Sequence, residues 1–162
     1  MVKLEDIEEK LNKYSKTYRR DDLPELKISG LYSLFPDKNP NITADVNWPN
    51  SYINGDKAGV YIILNQDMQV LYIGKASMSN TIGGRLNSYF AYEDDKKTCK
   101  VKSQNWKGEP CFIATVAVDD SMTFEAPALE EYLIKNFSSS LIDNTIGTNR
   151  TGEWYGKRFI TT

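Results

Sequence analysis

Glu130 is surrounded by the wrong residues for a carboxylate. Along a helix over about 124–137, its neighbours at i−4, i+3, i+4 and i+7 are Ala126, Leu133, Ile134 and Phe137, so it falls within an apolar stripe. A carboxylate there needs an ion partner, hydrogen bonds or a metal. A structural ion pair is one answer, and Arg85 is the natural partner. On a helix over about 81–92, Arg85 lies beside the apolar face, three residues from Ile82 and four from Tyr89. The segment before it, Asn80-Thr-Ile-Gly-Gly84, leaves backbone N–H groups at a helix start, where an anion could be received. Tyr61 and Tyr72 are each third in a β-rich run, and Lys75 adds a cation at the second strand's end. Tyrosines in such runs are as often packing residues as functional ones.

What is missing narrows the chemistry further. Among 162 residues, with 20 Lys+Arg, 22 Asp+Glu and ten Tyr, there is no His. A Ser-His-Asp triad, a Cys-His dyad, an H-E-x-x-H zinc site and a two-His facial triad are excluded. An enzyme built from this chain must move protons with Glu, Asp, Lys, Tyr or Cys. Cys99 and Cys111 form no C-x-x-C, which predicts reduced thiols; with no apolar leader after Met1, the expected location is cytoplasmic. No run is apolar enough for a membrane span. Net charge is −2, but residues 71–110 carry seven cations against four anions and form the one basic segment, suited to a polyanion. Lys96, Lys97, Lys100, Lys102 and Lys107 read first as a solvated face, because Glu93, Asp94 and Asp95 precede them.

These residues must be positioned by a small set of elements. Leu4, Ile7, Leu11, Tyr14 and Tyr18 recur at spacings of three and four, predicting an amphipathic helix over 4–18. From about 21 to 57 periodicity vanishes among four of the six prolines, which predicts an irregular connection with a short element near 31–35. Residues 59–64 and 70–73 read as a hairpin around 65–69. A helix over 81–92 follows, then an almost wholly apolar strand over 111–118 for the middle of the sheet. Last comes a helix over 124–137, N-capped by Thr123, with Pro127 tolerated in its first turn. The order β-β-α-β-α predicts an α/β domain with a three-stranded, mainly antiparallel sheet flanked by helices. Residues 1–57 form an N-terminal extension to a domain over 58–162.

Four motifs now stand in one order: Gly59-Val-Tyr61, then Tyr72-Ile-Gly-Lys75, then Arg85-Leu-Asn-Ser-Tyr-Phe90, then Ala128-Leu-Glu-Glu-Tyr-Leu-Ile-Lys135. Over about 58–144 this arrangement resembles the GIY-YIG endonuclease domain of homing, restriction and excision-repair nucleases. The resemblance implies that Tyr61 and Tyr72 flank the scissile phosphate and help activate water, with Gly74 and Lys75 beside it. It implies that Arg85 holds the phosphate and that Glu130 is the sole protein ligand of one Mg²⁺ or Mn²⁺. Asn144 matches the family's late Asn, with Asn149 also near. Val60 replaces the middle Ile of the first tripeptide, as in the repair branch, and Tyr89 stands where many members have His.

The implied activity is metal-dependent hydrolysis of double-stranded DNA. A Tyr61 acting as base needs its pKa of about 10 lowered; otherwise it relays or orients. Two other readings compete: a decayed domain that only binds DNA or protein, and a structural domain with an Arg85–Glu130 core pair. A restriction role would add a two-fold dimer. Residues 1–57, the loop at about 93–110 and Trp48, Trp106 and Trp154 are open to specificity or packing roles, and Trp154-Tyr155 to a late strand or a cap on the sheet.

Overall fold

The structure, a computed structural model, describes residues 1–102, 106–137, Ser140 and Asn144. Asn149 and Trp154-Tyr155 lie outside them. Helix α1 spans Leu4–Tyr18 as its spacing predicts, and α3 spans Glu125–Phe137. Strands β3 (Gly59–Leu64) and β4 (Val70–Ala76) form the hairpin, and β7 (Phe112–Ala117) pairs antiparallel with the other side of β3. The Asn65 carboxamide shapes the turn by accepting from the Asp67 and Gln69 N–H groups at 3.0 and 2.9 Å.

The predicted three-stranded core is extended to five strands. Two short strands from the connection, β1 (Tyr32–Ser33) and β2 (Val46–Asn47), add to β7, giving the order β2-β1-β7-β3-β4 and placing β7 in the middle. Among the described residues, only the β1–β2 pair is parallel. Two-residue strands carry no period of their own, and neighbouring backbone decides whether such a segment pairs.

Alternation along β3 sends side chains to two covered faces. Val60, Ile62 and Leu64 pack with Ile7 and Leu11 of α1 and Ala126, Leu129 and Leu133 of α3. Tyr61 and Ile63 pack on the opposite face with Ile82 and Leu86 of α2 (Ile82–Leu86) and with Phe90 and Cys99. Helix α2 is therefore shorter than 81–92. After Leu86 the chain turns, and Phe90–Tyr92 (β5) pairs with Cys99–Val101 (β6) as a ribbon. The apolar positions 86, 89 and 90 suit both periods. Pairing with β6, closed by Asp95 accepting from Lys97 N and Thr98 N at 2.8 Å each, decides for the strand.

Candidate active site

Tyr61 comes to the site through two glycines. Gly59 has φ +156°, and a Cβ there would stand 2.1 Å from the Val116 carbonyl oxygen, so the start of β3 can lie against β7 only without a side chain. Gly74 faces Tyr61 across the hairpin, and its missing Cβ leaves room for the phenol: an added Cβ would meet Tyr61 Cζ and OH at 2.4 Å each. The ring lies flat over Gly74, fully buried. Gly74 is thus a steric requirement for the placement of Tyr61.

Around Tyr61 the aromatics form one cluster. Its hydroxyl is 3.1 Å from the Tyr89 hydroxyl, and its ring stacks on Tyr72 with centroids 6.2 Å apart. Tyr89 packs on both rings at 6.0 Å. Trp106 closes the group edge-on, 5.8 Å from Tyr72 and 5.7 Å from Tyr89. Its indole N–H is buried and has no hydrogen-bond partner among the described residues. This indole was legible in sequence only as the one aromatic in the basic loop; its contact with the tyrosines was not.

Arg85 is exposed on α2, and its guanidinium interacts with the hydroxyls of Tyr61, Tyr89 and Tyr72. Those groups, Tyr61 foremost, hold it charged. The phenols move the other way. Burial first, then the negative charge Tyr72 would carry, raises the Tyr61 pKa, and the cation of Arg85 offsets only part of this. Burial also raises Tyr72, aided by its hydrogen bond with Tyr89 and by the nearby Glu130 carboxylate. Both phenols are neutral at physiological pH.

Glu130 is half-buried on α3, within electrostatic reach of Tyr72. The buried carboxylate pair of this helix is elsewhere. Glu125, its first residue, accepts from Arg19 Nε at 2.5 Å and Nη2 at 3.2 Å, with both side chains about 5% exposed or less. With Arg85 exposed, the idea of an Arg85–Glu130 pair in the core is corrected: the core pair is Arg19–Glu125. Nor do the N–H groups at the start of α2 await an anion. Ile82 and Gly83 donate to the Lys57 and Gly55 carbonyls at 2.8 Å each, Gly84 to Thr81 Oγ1 at 3.1 Å, and Arg85 to the Thr81 carbonyl at 3.0 Å.

Lys75 is three positions after Tyr72 and pairs across from Val60, so it projects on the α1–α3 face while Tyr72 and Gly74 project on the other. Its ammonium donates to Ser77 Oγ at 3.2 Å. Asn144 meets the backbone of β4, its amide donating to the Ile73 carbonyl at 2.7 Å and accepting from Ile73 N–H at 2.8 Å. These two bonds occupy the outer edge of β4 next to Tyr72, as a neighbouring strand's backbone would.

Among the described residues no three His, Cys, Asp or Glu side chains converge. Among the described residues the carboxylate near the tyrosines is that of Glu130. That suits a hard cation such as Mg²⁺ or Mn²⁺, which binds through one or two carboxylates and keeps water and phosphate as its other ligands, better than zinc, whose sites are usually built with His or Cys. No helix among the described residues is long and apolar enough to cross a membrane.

Comparison with curated proteins and with solved structures gives no match. A family model, the GIY-YIG catalytic domain, matches residues 57–144, more than half the chain. The match opens two residues before Gly59 and ends on Asn144, so both glycines that shape the tyrosine cluster, Arg85 and Glu130 lie inside it. The chain belongs to the GIY-YIG nuclease domain family.

Proposed function

We propose that this protein is a metal-dependent endonuclease that hydrolyses phosphodiester bonds in double-stranded DNA. The observation that carries the reading is that Arg85 converges with Tyr61, Tyr72 and Tyr89 while the Glu130 carboxylate approaches Tyr72 from α3. Arg85 clamps the phosphate oxygens with a planar, permanently charged fork. Tyr72, half-buried at the sheet edge, orients the attacking water. Tyr61 is held as a neutral phenol and acts as a relay through Tyr89, since a base at neutral pH would need its proton removed against the cost of burial. Glu130 would hold one Mg²⁺ or Mn²⁺, which supplies charge neutralisation at the leaving oxygen and a lowered pKa for coordinated water. Lys75 braces the strand end from the α3 face, and Asn144 fixes the outer edge of β4 beside Tyr72. We assign 58–162 as the nuclease unit and 1–57 as an extension that completes its sheet and core.

The test is cleavage of plasmid and branched DNA by purified protein with Mg²⁺ or Mn²⁺, followed by sequencing of the ends from a DNA library. Glu130→Ala should abolish cutting while leaving the fold and DNA binding intact. Failure of the unaltered protein to nick any of these substrates at high concentration sinks the proposal.

A further inference from the structure

Between β4 and α2 the chain makes a turn, Ser77-Met-Ser-Asn80, that the proposed mechanism does not use. It is anchored at both ends. Ser77 is buried and its hydroxyl accepts from Lys75, while the Asn80 N–H returns to the Ser77 carbonyl at 3.1 Å. At its tip Met78 has φ +61°, a left-handed conformation that disfavours every side chain and suits Asn or Gly best. The residue is 88% exposed.

Three other non-glycine residues share a positive φ, and each has local support. Asn54 is a type that tolerates the conformation, and its amide donates to Thr115 Oγ1 at 3.0 Å. Lys96 carries a charged head suited to the tip of a surface ribbon. Met68, the same residue type at nearly the same φ, packs against the core. Among the described residues, Met78 alone combines the backbone cost with an apolar side chain turned to water. Exposure of a single apolar residue needs no explanation. A strained backbone that displays one on an anchored turn does, because such strain collects at active sites and ligand clamps.

The place of the turn says which partner. It continues the strand carrying Tyr72 and Gly74 and leads into the helix carrying Arg85. Four residues of chain at no more than about 3.3 Å each keep Met78 within about 13 Å of Gly74. Methionine is flexible and polarizable, and it is one of the side chains that wedge between base steps. We propose that Met78 is such a wedge, entering the base stack of duplex DNA a few base pairs from the scissile phosphate and opening the step so that the backbone seats on Arg85. The proposal rests on DNA being the substrate.

The test uses short duplexes with 2-aminopurine at a TpA, a CpA or a GpA step, titrated with the full chain without divalent metal so that the strands stay intact. The unaltered protein should raise the fluorescence several-fold, most at the deformable TpA and CpA steps. Met78→Gly should leave it near the free-duplex level and weaken binding about tenfold, the scale of one lost stacking contact. Met78→Leu should restore both. Met78→Gly should also unfold at the same temperature as the unaltered protein or higher, because Gly accepts the backbone. Unstacking by Met78→Gly equal to that of the unaltered protein overturns the wedge. So does an unaltered protein that binds by anisotropy without unstacking any step, and that result leaves the nuclease reading standing. A protein that neither binds nor cuts DNA sinks that reading and the wedge with it.

Discussion

Gly74 and Arg85 show how differently two residues of one motif set can matter. Gly74 contributes only space. Filling it with a methyl places a Cβ 2.4 Å from the Tyr61 phenol, which has no exit in a buried cluster. Gly74→Ala should therefore cost about 1–3 kcal/mol, lowering the melting temperature by calorimetry, and should reduce cleavage because Tyr61 no longer lies where Tyr89 meets it. Arg85 is exposed, so its replacement should leave stability nearly unchanged. Arg85→Lys keeps the charge and loses the fork; turnover on plasmid DNA should fall by roughly 10²-fold, the scale of a lost transition-state donor. An Arg85→Lys enzyme with unaltered turnover would remove Arg85 from the phosphate. Both residues were legible as candidates in sequence. The steric reason for Gly74 was not, because it depends on a residue thirteen positions earlier across the hairpin.

At the scale of elements, α1 and α3 are joined by a contact no local pattern announces. Arg19 caps the end of α1, and its guanidinium binds Glu125 with two nitrogens while Nη1 donates to the Pro24 carbonyl at 2.7 Å. Removing one partner leaves a buried charge. Glu125→Ala should cost about 3–5 kcal/mol, whereas Arg19→Met with Glu125→Leu should be near neutral or stabilising, and the difference is read from urea midpoints of the two variants. A similar loss in both would mean that the pair supplies net stability. The apolar periods of α1 and α3 were read correctly because each face is written within two or three turns. Helix α2 was overextended because residues 86–90 fit two periods, and β6 chose between them.

For the whole molecule, the absence of His becomes a statement about pH. Apart from the two thiols, whose ordinary pKa is about 8.5, no side chain with an ordinary pKa titrates between about pH 6 and 9, and burial raises both thiols, Cys99 to about 12. Stability measured by urea unfolding should be flat from about pH 6 to 8 and begin to fall above that, as the unfolded chain's thiols release protons that the folded chain keeps. Burial raises the pKa of Tyr32, Tyr52, Tyr61 and Tyr72 as well. A folded-state pKa above the unfolded one means that the unfolded chain releases these protons first. Their contribution is complete below about pH 10 and is lost as pH rises further. A stability curve that stays level through pH 11 would contradict the burial of the tyrosine cluster.

The sequence by itself determined the parts: a histidine-free set of Tyr, Arg and Glu in a recognisable order, two amphipathic helices, a hairpin and an apolar central strand. All of these are written in residue type and short period, which act over one or two turns of chain. Tertiary structure decided which parts meet. It put Lys75 on the opposite face from Tyr72, set Trp106 against the tyrosines, closed the edge of β4 with Asn144, and gave the buried ion pair to Arg19 and Glu125, 106 residues apart. Those outcomes depend on sheet register and on packing between distant segments, and a side chain's partner across such a separation leaves no trace in its own neighbourhood of sequence.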